Sequence, residues 1–87
     1  MKDILFVEDD PNIAKTLLFI LSKSELTTDH VTSIADAKEL FRKEQYGLFL
    51  FDIGLADGSG IDLTKFIRKN DSEKPIILIT ARMMRIL

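Results

Sequence analysis

The sequence has 87 residues, of which 46% are hydrophobic and 30% are charged, and these values describe one small globular domain with a single core. The net charge is −2 and the 12 lysines and arginines are spread along the chain, so we expect no direct binding to nucleic acid or to an anionic membrane. No apolar run approaches the ~20 residues of a membrane span, no signal-peptide pattern opens the chain, and cysteine is absent, which together favour a cytoplasmic protein without disulfides.

Strand-like and helix-like patterns alternate along the chain. Short apolar runs and a polar β-type segment predict four strands, at residues 4–7, 27–31, 48–52 and 76–80. Apolar residues at helical spacing predict three helices between them, at about residues 11–24, 34–45 and 61–69. Residues 53–60 are predicted to form a loop, and the last residues of the chain to begin a fourth helix.

Strands that alternate with helices of this length predict right-handed βαβ units and a parallel sheet. Strands covered on both faces consist of continuous apolar residues, whereas polar strands lie at an edge. The second strand is therefore an edge, and the predicted strand order is 2-1-3-4. In such sheets ligands bind beyond the C-terminal ends of the strands, here between the first and third strands.

The fourth strand has the composition of an interior strand, but the sequence has no following strand to cover its far side. Its unpaired N–H and C=O groups predict a homodimer, in which residues 76–80 of two chains pair and the apolar tails at residues 83–87 cover the remaining surface.

Acidic residues follow the first and third predicted strands. Glu8, Asp9 and Asp10 come directly after the first, and Asp52 ends the third. Parallel neighbours lie about 4.8 Å apart, so Asp52 and the first cluster can contact one ion. Oxygen ligands without nearby His or Cys favour Mg²⁺, and a carboxylate held beside Mg²⁺ can act as a nucleophile and form an acyl phosphate. Asp52 is the candidate, while Asp10, before Pro11, is expected to cap the first helix.

Three segments resemble motifs of the receiver domains of bacterial two-component response regulators. The segment VEDDP at residues 7–11 is similar to the acidic motif before their first helix. The segment DIGLADGSG at residues 52–60 is similar to their phosphoacceptor loop, whose usual form is Asp-x-x-Leu-Pro-x-x-x-Gly, with Ala in place of Pro. The segment ITA at residues 79–81 is similar to the end of their fourth strand. The resemblance covers residues 1–87 and implies a flavodoxin-like fold.

The resemblance also implies a role for each matched residue. Asp52 would be phosphorylated by a sensor histidine kinase, in a Mg²⁺-dependent signalling step rather than in enzymatic turnover. Asp9 would bind Mg²⁺ directly and Glu8 through water, and Gly54 would give its backbone carbonyl to the metal. Thr80 would donate a hydrogen bond to the phosphoryl group.

The chain also departs from the family pattern. Receiver domains continue with a fifth strand, which ends in a lysine that pairs with the phosphoryl group, and a fifth helix, so the resemblance is to a receiver domain truncated before that strand. The alternative is a receiver remnant that acts only in binding or dimerisation and is not stably phosphorylated. A phosphatase is disfavoured because Gly54, rather than a general acid, stands two residues after Asp52. His30 is expected to be a surface histidine.

Overall fold

The computed structural model describes residues 1–70, 73–80 and 84–86. Its main sheet has five strands, which are β1 (Lys2–Val7), β2 (Thr28–Val31), β3 (Tyr46–Asp52), β6 (Ile76–Ile79) and β7 (Met84–Ile86). Their order across the sheet is β2-β1-β3-β6-β7. A two-stranded hairpin consists of β4 (Gly54–Leu55) and β5 (Gly58–Ser59). The helices are α1 (Pro11–Leu21), α2 (Ile34–Lys43) and α3 (Gly60–Lys69).

The first four strands of the sheet are parallel, which confirms the predicted α/β fold and the strand order 2-1-3-4. Alternate residues of β1 enter two separate cores. Leu5 and Val7 face the side covered by α2 and α3, whereas Ile4 and Phe6 face the side covered by α1. The strands are apolar on both sides because helices cover both faces of the sheet.

The C-terminal residues differ from the prediction. Residues 84–86 form the strand β7 rather than a helix, and β7 pairs antiparallel with β6 in the register Ile77↔Ile86, Leu78↔Arg85 and Ile79↔Met84. Residues 81–83 and 87 lie outside the described part of the chain. An unpaired interior-type strand is a template for any nearby segment. Here the same chain supplies that segment, so the open β6 edge on which the homodimer prediction depended is occupied.

The segment at residues 53–60 also differs from a simple loop, because β4 and β5 pair within it. Across residues 1–70, 73–80 and 84–86, no helix has the length and apolar character required to cross a membrane.

Candidate functional site

The candidate site lies at the C-terminal ends of β1 and β3. These strands are parallel neighbours, and the register pairs Val7 with Phe51. Glu8 comes directly after β1 and Asp52 is the last residue of β3, so the pairing of the two strands brings their backbones close together. Asp9 follows Glu8 on the way to α1. The prediction that the two acidic segments meet at this edge therefore agrees with the structure.

One carboxylate oxygen from each of Glu8, Asp9 and Asp52 lies within 4.8 Å of the other two. Glu8 is buried, with 1% of its surface exposed, and Asp9 and Asp52 are half-buried. Two like charges at about 4 Å repel by ~4 kcal/mol at an effective dielectric constant of 20. Three ionised carboxylates in this volume therefore need either a proton or a cation between them.

The electrostatics of Glu8 reflect this crowding. Burial raises the pKa of Glu8 to about 7, and hydrogen bonding and charge repulsion from Asp52, with repulsion from Asp9, act in the same direction. The backbone N–H of Asp10 donates to Glu8 Oε2 at 3.2 Å and opposes the rise in pKa only in part. Near neutral pH, Glu8 is therefore balanced between a protonated acid and a carboxylate.

Asp10 points away from this cluster and caps α1. Its Oδ1 accepts hydrogen bonds from the backbone N–H groups of Asn12 at 2.8 Å and Ile13 at 3.1 Å. Pro11, in the first turn, needs no such acceptor because it has no N–H. The predicted capping role is confirmed, and it fixes the direction in which the chain leaves β1 and so the position of Asp9.

The segment after Asp52 folds back closely on the strand that precedes it. The backbone N–H of Gly60 donates to the carbonyl oxygen of Ile53 at 2.8 Å. A Cβ atom at Gly60 would overlap the carbonyl group of Asp52, so only glycine fits at this position. Asp9 contacts the same segment, because its Oδ2 accepts a hydrogen bond from the backbone N–H of Ala56 at 2.9 Å.

Thr80 and Gly54 lie on the segments next to the carboxylate cluster. Asp52 pairs with Ile79 in the sheet, and Thr80 is the next residue. A cavity of about 430 Å³ between β6 and α1 is lined by Asn12, Ile13, Thr16, Leu17, Ile79 and Thr80. Gly54 is exposed in β4 and pairs with Ser59. The roles of Thr80 at a phosphoryl group and of Gly54 at a metal stay predictions.

Two residues near the site make contacts that the sequence did not predict. His30 is half-buried rather than on the surface: its Nε2 lies 2.9 Å from the carbonyl oxygen of Glu8, and its ring lies 5.1 Å from that of Phe6. Because a carbonyl only accepts, this nitrogen carries the proton. The other is Asp57, whose carboxylate binds the start of α2. The position of His30 in the edge strand next to β1 was a weak indication in the sequence that it lies near the site. The sequence contained no indication that Asp57 binds α2.

The parallel strands β1, β2, β3 and β6 and the acidic cluster at their C-terminal edge define an open α/β protein, with the candidate site at the switch point between β1 and β3. The family described as "Response regulator receiver domain" matches residues 4–86, which is nearly the whole chain. The chain therefore belongs to the response regulator receiver domain family.

Curated relatives agree with this assignment. The response regulator protein PilR of Pseudomonas aeruginosa is 36% identical over 77 residues, which cover 88% of this chain and 17% of PilR. The transcriptional regulatory protein PmrA of Pectobacterium parmentieri is 34% identical over 79 residues, which cover 91% of this chain and 36% of PmrA. The chain thus spans well under half the length of either relative.

Solved structures show the same fold. The response regulator MaeR bound to beryllium trifluoride has a TM-score of 0.84 and 40% identity, over 93% of this chain and 68% of MaeR. TrrA from Thermotoga maritima in complex with Mg²⁺-BeF has a TM-score of 0.85 and 34% identity, over 93% of this chain and 70% of TrrA. TrrA in complex with the histidine kinase ThkA has a TM-score of 0.85 and 34% identity, over 95% of this chain and 72% of the TrrA chain.

Proposed function

We propose that this chain is a Mg²⁺-dependent phosphoacceptor that receives a phosphoryl group on Asp52 from a sensor histidine kinase. The convergence of Glu8, Asp9 and Asp52, with one oxygen of each within 4.8 Å of the others, is the observation that carries the proposal. Two relatives support it: TrrA has been solved with Mg²⁺-BeF and with the histidine kinase ThkA, and MaeR with beryllium trifluoride.

The donor set fits a small hard cation. All three side chains offer carboxylate oxygens, and a buried carboxylate with a raised pKa gains a counter-charge when a cation is bound. We assign direct binding to Asp9 and Asp52, contact through water to Glu8, and a backbone carbonyl ligand to Gly54. When bound, Mg²⁺ neutralises the carboxylates and polarises the oxygens of the incoming phosphoryl group.

The residues of the chain supply the nucleophile and its surroundings. An oxygen of the Asp52 carboxylate forms a bond to phosphorus while the P–N bond of the phosphorylated histidine breaks. The electron pair of that bond goes to the imidazole nitrogen, which takes up a proton from solvent, and the product is an aspartyl phosphate. Asp52, at the end of β3, is half-buried, so part of it is accessible to an incoming phosphoryl group. We assign to the Thr80 hydroxyl a hydrogen bond to a phosphoryl oxygen.

This role is one of signalling, in which the aspartyl phosphate changes contacts with an output element, rather than of enzymatic turnover. The cytoplasmic location and the absence of direct nucleic-acid binding stay predictions. Homodimerisation is also untested, and because β7 pairs with the outer edge of β6, the open edge from which dimerisation was predicted is occupied.

Phosphorylation of the 87-residue chain tests the proposal. The protein is incubated with acetyl phosphate and either Mg²⁺ or EDTA, and its intact mass is measured. We expect one added phosphoryl group with Mg²⁺, little with EDTA, and none in Asp52→Asn. Asp62→Asn, which changes an exposed acid in the first turn of α3, is the control and should be phosphorylated like the parent. An unmodified parent protein that nevertheless binds Mg²⁺ would contradict the proposal.

A further inference from the structure

Two consecutive residues of the β4–β5 hairpin bind different parts of the protein. The backbone N–H of Ala56 donates to Asp9 Oδ2 at 2.9 Å. The carboxylate of Asp57 turns the other way and accepts hydrogen bonds from the backbone N–H groups of Ile34 at 2.9 Å and Ala35 at 3.2 Å. The hairpin therefore connects a carboxylate of the candidate metal site to the first residues of α2.

The contact with α2 satisfies helix donors that have no partner within the helix. The first N–H groups of any α-helix lack intrahelical acceptors. The side chain of Ser33, the N-cap residue, accepts from the N–H of Asp36 at 3.1 Å, and its carbonyl oxygen accepts from the N–H of Ala37 at 3.1 Å. Asp57 supplies the acceptors for Ile34 and Ala35, and these hydrogen bonds lower the pKa of its carboxyl, the one from Ile34 most. The negative charge also suits the positive end of the helix dipole.

An apolar contact accompanies the polar one. Gly58 has a φ of +148°, and a Cβ atom there would lie 2.8 Å from Cδ1 of Ile34. Ile34 is 8% exposed and Leu55, at the start of the hairpin, is 9% exposed, and both belong to one buried cluster. The hairpin is therefore packed against the first turn of α2, and the contacts of Asp57 are not those of an isolated surface acid.

We propose that Asp57 is a positioning residue, which holds the hairpin on α2 so that Ala56 meets Asp9, and thereby links the metal site to the first turn of α2. The inference rests on the Mg²⁺ site proposed above. A cation that binds Asp9 reduces the negative charge on the oxygen that accepts the hydrogen bond from the Ala56 N–H. Because the next residue, Asp57, accepts hydrogen bonds from Ile34 and Ala35, the change reaches the first turn of α2.

Amide chemical shifts test this link directly. The ¹⁵N-labelled 87-residue chain is titrated with Mg²⁺, and the shifts of Asp9 and Ala56 report the site while those of Ile34 and Ala35 report α2. In the parent protein we expect all four amides to follow one binding curve. In Asp57→Asn, which keeps the shape but removes the charge, we expect the α2 amides to stop following Mg²⁺. We also expect the affinity of this variant for Mg²⁺ to fall by up to about tenfold. This is the lower end of the effect seen when residues that hydrogen-bond to a metal's ligands are changed.

Asp36→Asn is the matched control, since Asp36 is an exposed acid in the same helical turn. It should leave the Mg²⁺ affinity and the response of the α2 amides unchanged. The inference is wrong if Ile34 and Ala35 of the parent do not respond while Asp9 and Ala56 saturate, or if Asp36→Asn and Asp57→Asn have equal effects. The first of these results is obtained with the parent protein, so it does not depend on whether a variant folds. A parent protein without any saturable Mg²⁺ response would instead overturn the metal site, and this link with it.

Discussion

Glu8→Gln removes a charge that the fold buries beside two others, and it should stabilise the metal-free protein above neutral pH. The Glu8 side chain is buried, and burial, with the effects of Asp52 and Asp9, raises its pKa to about 7. Glutamine keeps the shape of the side chain. Its amide oxygen can still accept from the Asp10 N–H, and its amide N–H groups can donate to Asp52.

The size of the effect follows from the pKa of Glu8 in the two states. The ordinary value of 4.5 describes the unfolded chain, and the folded value of about 7 is higher, so the bound proton stabilises the fold. This contribution is complete below pH 4.5 and is lost as the pH rises through 7. At ~1.4 kcal/mol for each pKa unit, the loss is about 3 kcal/mol. The free energy of unfolding of Glu8→Gln should therefore equal that of the parent near the acid end of this window and exceed it by about 3 kcal/mol near pH 8.

Urea unfolding, followed by circular dichroism in EDTA at several pH values, measures this difference. The pKa values of Asp3, Asp29 and Asp57 are lowered by the hydrogen bonds that they accept, so their contributions to stability are lost only as the pH falls below this window. Glu25→Gln, at an exposed acid, is the control and should follow the parent. If the free energies of unfolding of the parent and Glu8→Gln change in parallel with pH across the window, the pKa of Glu8 is not raised in the folded protein.

Two further variants test the geometry of the site. Asp9→Asn removes one of three converging charges and a direct candidate ligand. The variant should have a higher melting temperature than the parent in EDTA. Its affinity for Mg²⁺, measured by calorimetry, should be more than about tenfold lower than that of the parent. An unchanged affinity would exclude Asp9 as a ligand. Gly60→Ala should lower the free energy of unfolding by about 1–3 kcal/mol, because the added Cβ overlaps the Asp52 carbonyl group. Gly54→Ala is its control, because no atom of the described residues beyond the chain neighbours of Gly54 lies within 4 Å of such a Cβ, and it should cost little in the same urea experiment.

The parts of the fold that the sequence predicts are those set by local patterns and by sheet topology. Asp10 before Pro11 indicates the cap of α1 without reference to any distant residue, and the structure confirms it. The convergence of Glu8 and Asp52 needs only the inference that their strands are parallel neighbours, because the carboxyl ends of such strands share one edge. The four parallel strands and three helices are predictable on the same grounds.

The remaining contacts depend on pairs of residues that no local pattern joins. Asp57 is 23 positions from Ile34, and an acid in a glycine-rich loop has the same appearance whether it binds a helix or water. The donor to Asp9 is the backbone N–H of Ala56, a group that every residue except proline carries. At the C-terminus, a short apolar segment fits a helix and a strand equally well, so the pairing of β7 with β6 could not be predicted.

The position of the phosphoryl group on the protein shows whether Asp52 is the phosphoacceptor. After incubation with acetyl phosphate and Mg²⁺, reduction with borohydride converts an aspartyl phosphate into homoserine, and peptide mass spectrometry identifies the altered position. We predict homoserine at position 52 and an unaltered residue at Asp9, because Asp52 is the acid that ends β3 in the carboxylate cluster. Homoserine at another aspartate, or at none in a protein that has gained a phosphoryl group, would show that Asp52 is not the phosphoacceptor.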